Sequence, residues 1–217
     1  MAVLQYLMMG RAAAGRTLFT GQRWVALENN HGEAGIGSTS DASLQQLGSL
    51  TTWQNTEPGN QQSDNRLVVN SEGKLYAWGR NNSGVLGLGD TTQRTSPVQV
   101  GTDTDWLEAG CTSGGGMAIK TNNTLWTWGE NSTGALGAGN TTNRSSPAQV
   151  GSDTDWAHVL PMSANLDALF AMKSDGGIYY SGSGTGGLST VNTFNQIGSE
   201  DGFVDACMIG LGVVAWK

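Results

Sequence analysis

The chain has 217 residues with 18 acidic and 11 basic side chains, so it carries a formal charge of -7. Charged residues are 13%, while 33 glycines, 22 threonines, 19 serines and 16 asparagines make up about two-fifths of the chain. This composition argues against a helical bundle, against a transmembrane helix and against a phosphate-neutralising nucleic-acid binder.

In chain order, the first element is the apolar stretch Ala2 to Met9, which has no basic residues before it. It is read as a strand rather than an export signal, which needs a positive start and a longer apolar core. Four related segments follow. The two central ones are LYAWGRNNSGVLGLGDTTQRTSPVQVGTDTDW, from Leu75 to Trp106, and LWTWGENSTGALGAGNTTNRSSPAQVGSDTDW, from Leu125 to Trp156. Fainter copies run from Asn29 to Trp53 and from Ile178 to Phe203. A Gln–aliphatic–Gly triplet followed by an aromatic marks each copy and ends at Trp53, Trp106, Trp156 and Phe203. Spacings of 53, 50 and 47 residues are those of a repeat architecture.

Within one repeat the pattern predicts strands at Met117–Lys120, Leu125–Trp128, Ser146–Val150 and Trp156–Leu160. Asn122-Asn123 suits a turn with positive φ, and Pro147 suits a strand start where no N–H is needed. Four antiparallel strands per 40–50 residues is a propeller-blade pattern. The recurrent aromatic is expected to wedge between blades. The chain ends in Gly212 to Lys217, which aligns with Met117–Lys120, and the strand missing after it is matched by Thr17 to Leu27. The fold class is therefore all-β: a small β-propeller of about four blades, closed by pairing of N- and C-terminal strands. Residues 1–22 form an N-terminal closing strand or assembly anchor, and 23–217 the propeller.

The motifs Trp78-Gly79, Asn82, Gly84, Leu86-Gly87, Gly89, Ser96-Pro97 and Ala109-Gly110-Cys111 resemble the repeat of the regulator of chromosome condensation family. Trp128-Gly129, Asn131, Gly134, Leu136-Gly137, Gly139 and Ser146-Pro147 resemble it again. That family typically builds seven blades, and this chain has material for four, which implies either a small closed ring or an arc completed by another subunit. The family includes guanine-nucleotide exchange factors, secreted inhibitors and uncharacterised binding proteins. The Thr/Asn/Ser-rich loops are also similar to those of virion structural proteins of tailed bacteriophages.

No residue pattern for catalysis or metal binding emerges. His31 and His158 each lack a neighbouring ligand at metal spacing, which favours structural or surface roles. Cys111 and Cys207 fall near one repeat position, with Pro58 and Pro161 in the others, so packing rather than a disulfide is expected. The glycine-rich segments Gly84 to Gly89 and Gly182 to Gly187 lack the Lys-Ser/Thr of a phosphate loop and read as tight turns. Asp103, Asp105, Asp153 and Asp155 could supply oxygens to Ca²⁺, but their place before the aromatic favours a solvated connection between blades. Asn81, Asn122, Asn131, Asn140 and Asn143 begin glycosylation triplets that read as an Asn/Thr-rich surface.

The expectation is a non-enzymatic virion component (tail, neck or capsid decoration) with no cofactor. Its partners would be other protein subunits, with homo-oligomerisation open and neither nucleic acid nor membrane. Tyr6, Met8, Met9 and Arg11, outside the repeats, are the candidate assembly contacts. Two alternatives stand beside it. One is a small-GTPase exchange factor. The other is an adhesin whose Trp24, Trp78, Trp126 and Trp128 stack on sugars if exposed.

Overall fold

The computed structural model describes residues 64–160, 167–184, 188–199 and 201–203, together with four short strands at 24–25, 45–46, 205–209 and 212–216. Every described element is a strand, and no described helix is long and apolar enough to cross a membrane. In chain order the strands are β1 (Trp24–Val25), β2 (Gln45–Gln46), β3 (Asn65–Val69), β4 (Leu75–Gly79), β5 (Arg94–Gln99), β6 (Trp106–Cys111), β7 (Gly115–Lys120) and β8 (Leu125–Gly129). They continue as β9 (Arg144–Gln149), β10 (Trp156–Val159), β11 (Ala168–Lys173), β12 (Ile178–Gly182), β13 (Val191–Gln196), β14 (Asp205–Ile209) and β15 (Gly212–Trp216).

Consecutive strands pair antiparallel into three main sheets: β3-β4-β5, β6-β7-β8-β9 and β10-β11-β12-β13. Sheet boundaries fall before the recurrent aromatic. The strand predicted at Trp156–Leu160 therefore opens the next sheet instead of finishing its own. The reason lies in the Gly151–Asp155 connection, which leaves the polar outer strand β9 and delivers Trp156 opposite Lys173 of β11.

Local chemistry sets the hairpins. Asn123 at φ 60° is the single non-glycine residue of positive φ among the described residues, as its turn position predicts. In the β3–β4 turn the Asn70 side-chain oxygen accepts from the amides of Glu72 and Lys74 instead. The outer strands β5, β9 and β13 are half-exposed and polar, and β5 and β9 contain Pro97 and Pro147. A proline cannot donate to an added strand, which protects an edge.

The inner strands are buried on both faces because sheet stacks on sheet. The first seam joins Leu67, Val69, Leu75 and Ala77 to Trp106, Ala109, Cys111 and Trp128. The second joins Met117, Ile119 and Leu125 to Trp156, Val159, Leu169 and Ala171. Phe203 packs on the far side of the third sheet with Leu160, Phe170 and Met172. The recurrent aromatic thus stands at both described seams, as Trp106 and Trp156, and on the far side of the third sheet as Phe203; Trp53 lies outside the described residues.

The two seams are filled by different side chains at equivalent positions. Gly116 faces Trp128 across the second sheet, and a Cβ on Gly116 would lie 2.4 Å from the indole ring. In the third sheet the pair is Leu169 and Ser181, large and small exchanged. Trp128 donates its indole N–H to the Val85 carbonyl at 2.7 Å. Ser181 instead reaches the Gly134 carbonyl with its hydroxyl at 2.8 Å.

β14 and β15 pair in the register of β6 and β7, with Asp205 opposite Trp216 where Glu108 opposes Ile119. That register puts Cys207 at the place of Gly110, one residue out of step with Cys111. β1 and β2 pair in the register of β8 and β9, with Trp24 opposite Gln46 where Trp126 opposes Gln149. Among the described pairings these are two separate hairpins, and the expected pairing of one chain end with the other is not among them.

Candidate protein-docking surface

Several polar side chains that recur in the repeats are engaged inside the chain. Asn81 is fully buried: its amide nitrogen donates to the carbonyl of Asp90 at 3.0 Å, the carboxylate of Asp90 at 3.2 Å and the carbonyl of Thr92 at 3.1 Å. Its amide oxygen accepts from the Leu86 amide at 2.9 Å. Asn131 repeats this with Asn140, Thr142 and Leu136. The repeat asparagine is therefore Asn81 and not Asn82, which is exposed and has an amide oxygen that accepts from Arg80 Nε at 2.9 Å. Asn81 and Asn131 are part of the loop interior and not of an Asn-rich surface. The glycine-rich stretch that follows is a tight turn, as expected, and its Gly89 amide donates across to the Ser145 carbonyl.

The recurrent aspartates also have a partner. Lys120 Nζ lies 2.6 Å from Asp103 and 3.0 Å from Asp105, over the rings of Trp106 and Trp126 at 4.8 Å each. Lys173 sits the same way between Asp153 and Asp155, over Trp156 and Tyr179. Burial pushes both ammonium groups down in pKa, but the hydrogen bonds and charge of the paired carboxylates outweigh it and hold them above the ordinary lysine value. The connection between sheets is thus a lysine clamp, with two half-exposed carboxylates outside and two aromatic rings beneath. Sequence reading missed the lysines, although Lys120 and Lys173 end equivalent strands.

His158 and Cys111 are structural, as expected. His158 Nδ1 lies 3.1 Å from the carboxylate of buried Glu108, linking β10 to β6 across the second seam. Cys111 is buried, with its thiol 3.6 Å from the Asn65 carbonyl. Among the described residues no three His, Cys, Asp or Glu side chains converge as metal ligands. Trp78 and Trp128 are buried, so neither presents a face to a sugar, whereas Trp126 is half-buried. The assembly contacts expected at Tyr6, Met8, Met9 and Arg11 lie outside the described residues, as do His31, Pro58 and Pro161.

One open feature remains at the outer rim of the first seam. A groove of about 460 Å³ runs between β5 and β9 over Trp106 and Trp126, walled by Leu88, Val98 and Pro147. Val98, at 36% exposure, is the exposed large apolar side chain among the described residues. Nothing in the local sequence separates it from any other outward strand position.

These stacked, serially connected sheets can be set against known proteins. Residues 72–119 and 122–160 match the regulator of chromosome condensation (RCC1) repeat. No curated protein matches the chain. Human WBSCR16 is similar in structure, with a TM-score of 0.74 at 18% identity over 91% of this chain and 54% of its own. Yeast RCC1 (Prp20) bound to Kap60 gives 0.65 at 16% identity, covering 83% of this chain and 45% of that one. Prp20p of Saccharomyces cerevisiae gives 0.64 at 15% identity, covering 86% and 49%. The chain spans about half the length of these structures. Residues 72–119 and 122–160 thus carry RCC1 repeats, and the similarity to these structures gives the described sheets the arrangement of β-propeller blades.

Proposed function

We propose that this chain is a non-enzymatic protein-docking module built on a four-bladed propeller. In this reading the fourth blade combines β14–β15 as its inner half with β1–β2 as its outer half. Their registers, which copy β6–β7 and β8–β9, support it. The observation that carries the functional reading is how the repeat's polar groups are used. The buried asparagines and the lysine clamps are engaged within the chain, which leaves outer strands and connectors as the contact surface. Among the structures of similar fold, one is of yeast RCC1 bound to Kap60, and another is described with binding to Gsp1p and histones.

Within that class the chain is assigned to a tailed-phage particle, assembled in the host cytoplasm. The Thr-, Ser- and Asn-rich repeat supports this assignment. Mass spectrometry of purified particles tests it: peptides of this chain at the abundance of a structural subunit are expected, and their absence overturns it. The second reading, exchange on a small GTPase, draws on the Gsp1p-binding neighbour. It predicts accelerated nucleotide release from a candidate GTPase, and no acceleration removes it.

A further inference from the structure

We propose that the groove over Trp106 and Trp126 binds a neutral saccharide. This goes beyond the protein-docking reading and does not depend on it.

The charges of the groove are matched within the chain. Arg94 Nη2 lies 2.6 Å from Asp90, and Asp103 Oδ2 lies 2.6 Å from Lys120 Nζ. A charged occupant meets no uncompensated counter-charge here, so the ligand is neutral. Hydrogen-bonding capacity, in contrast, is left over. Gln149 folds back and donates its amide to the Gly151 carbonyl at 3.1 Å. Gln99 holds the same repeat position, opposite Tyr76 as Gln149 is opposite Trp126, yet its amide makes no hydrogen bond within the chain and lines the groove. Asp103 is half-exposed and keeps its second carboxylate oxygen open. Across the groove, on β9, the Ser146 hydroxyl is exposed. An aliphatic or aromatic side chain inserted here would desolvate these groups without pairing them, which opposes binding. Strand addition is disfavoured as well, because Pro97 and Pro147 supply no N–H. A hydroxyl donates and accepts at once, so the rim of a sugar pairs with amide, carboxylate and hydroxyl alike.

The apolar side of the groove completes the match. Of Trp78, Trp126 and Trp128, only Trp126 keeps part of its surface open. Its ring is held in place: the indole N–H donates to the Thr124 hydroxyl at 2.9 Å, and Trp106 packs edge-on, with centroids 5.8 Å apart and planes at 81°. Val98 and Pro147 extend this apolar wall. A pyranose has a C–H face and a hydroxyl rim, so one side covers the wall while the other reaches Gln99, Asp103 and Ser146. The volume, about 460 Å³, is that of a small-ligand cleft.

The test titrates the full chain with the uncharged sugars maltotriose, cellotriose, lactose and N,N′-diacetylchitobiose, and reads tryptophan fluorescence and indole N–H shifts. Saturable binding of at least one is expected, with the Trp126 indole among the signals that move. Gln99→Ala and Ser146→Ala, at half-exposed and exposed positions, are each expected to weaken it about tenfold, the loss of one hydrogen bond, with the thermal midpoint unchanged. Trp126→Ala is expected to abolish it; because Trp126 also lies beneath the Lys120 clamp, the two surface variants carry the decision if Trp126→Ala unfolds. No saturable binding of any of the sugars, or binding unchanged in both Gln99→Ala and Ser146→Ala, overturns the site. Tighter binding of a sialylated than of a plain lactose overturns the neutral assignment. Saturation by acetyl-Gly-Leu-Gly-amide but by none of the sugars makes a protein side chain the occupant and overturns the saccharide. The docking reading fails separately, in the particle proteomics.

Discussion

Asn81 and Asn82 are adjacent and chemically identical, yet alanine substitution should separate them sharply. Asn81→Ala removes an amide whose nitrogen serves three acceptors and whose oxygen serves the Leu86 amide, all in the interior of the loop joining β4 to β5. Each such bond is worth about 1 kcal/mol net, and a buried amide left without an acceptor costs about 1–3 kcal/mol. The expected loss is about 3–4 kcal/mol, or roughly 6–15 °C in Tm for a chain of this size. Asn82 is exposed and holds only the side chain of Arg80, so Asn82→Ala should cost under about 0.5 kcal/mol. Urea unfolding of both variants, followed by circular dichroism and tryptophan fluorescence, measures the difference. A loss below about 1 kcal/mol for Asn81→Ala, or equal losses for the two, would refute the argument that this side chain braces the loop.

Exchanging partners across the second sheet tests how the seams are filled. Gly116→Leu alone drives a side chain into Trp128, and Trp128→Ser alone opens a cavity, each costing about 3 kcal/mol or more. The double variant recreates the Leu169–Ser181 pair and should recover at least about 1 kcal/mol of the summed loss, measured as a double-mutant cycle. The lysine clamps predict an alkaline limit. A folded pKa above the unfolded value near 10.5 means their contribution is complete below that pH and is lost as pH rises through the folded value. Lys120→Met should cost about 1–3 kcal/mol at pH 7 and reduce the loss of stability between pH 10 and 12, followed by chemical denaturation at each pH. Asn123→Ala forces a Cβ-bearing residue without a helpful amide into positive φ and should cost about 1 kcal/mol, with Asn123→Gly close to neutral by the same assay.

The amino-acid sequence by itself determined the repeat, its period, the hairpin turns and the aromatic at each seam. These are properties of residues close together in the chain: Asn123 selects its turn, Pro147 marks an edge strand, and alternating side chains define the strands. The likeness of the final strand to Met117–Lys120 was legible for the same reason, whereas the expected pairing of one chain end with the other is not among the described pairings. Tertiary structure alone decided which of two adjacent asparagines is buried, that the acidic connections close on Lys120 and Lys173, and where the sheets begin and end. It also decided that Trp128 in one seam is replaced by Leu169 and Phe194 in the next. Each of those outcomes depends on atoms from neighbouring strands or sheets meeting in space. A side chain's own sequence neighbours carry no record of which remote residue has grown or shrunk to fill the space beside it.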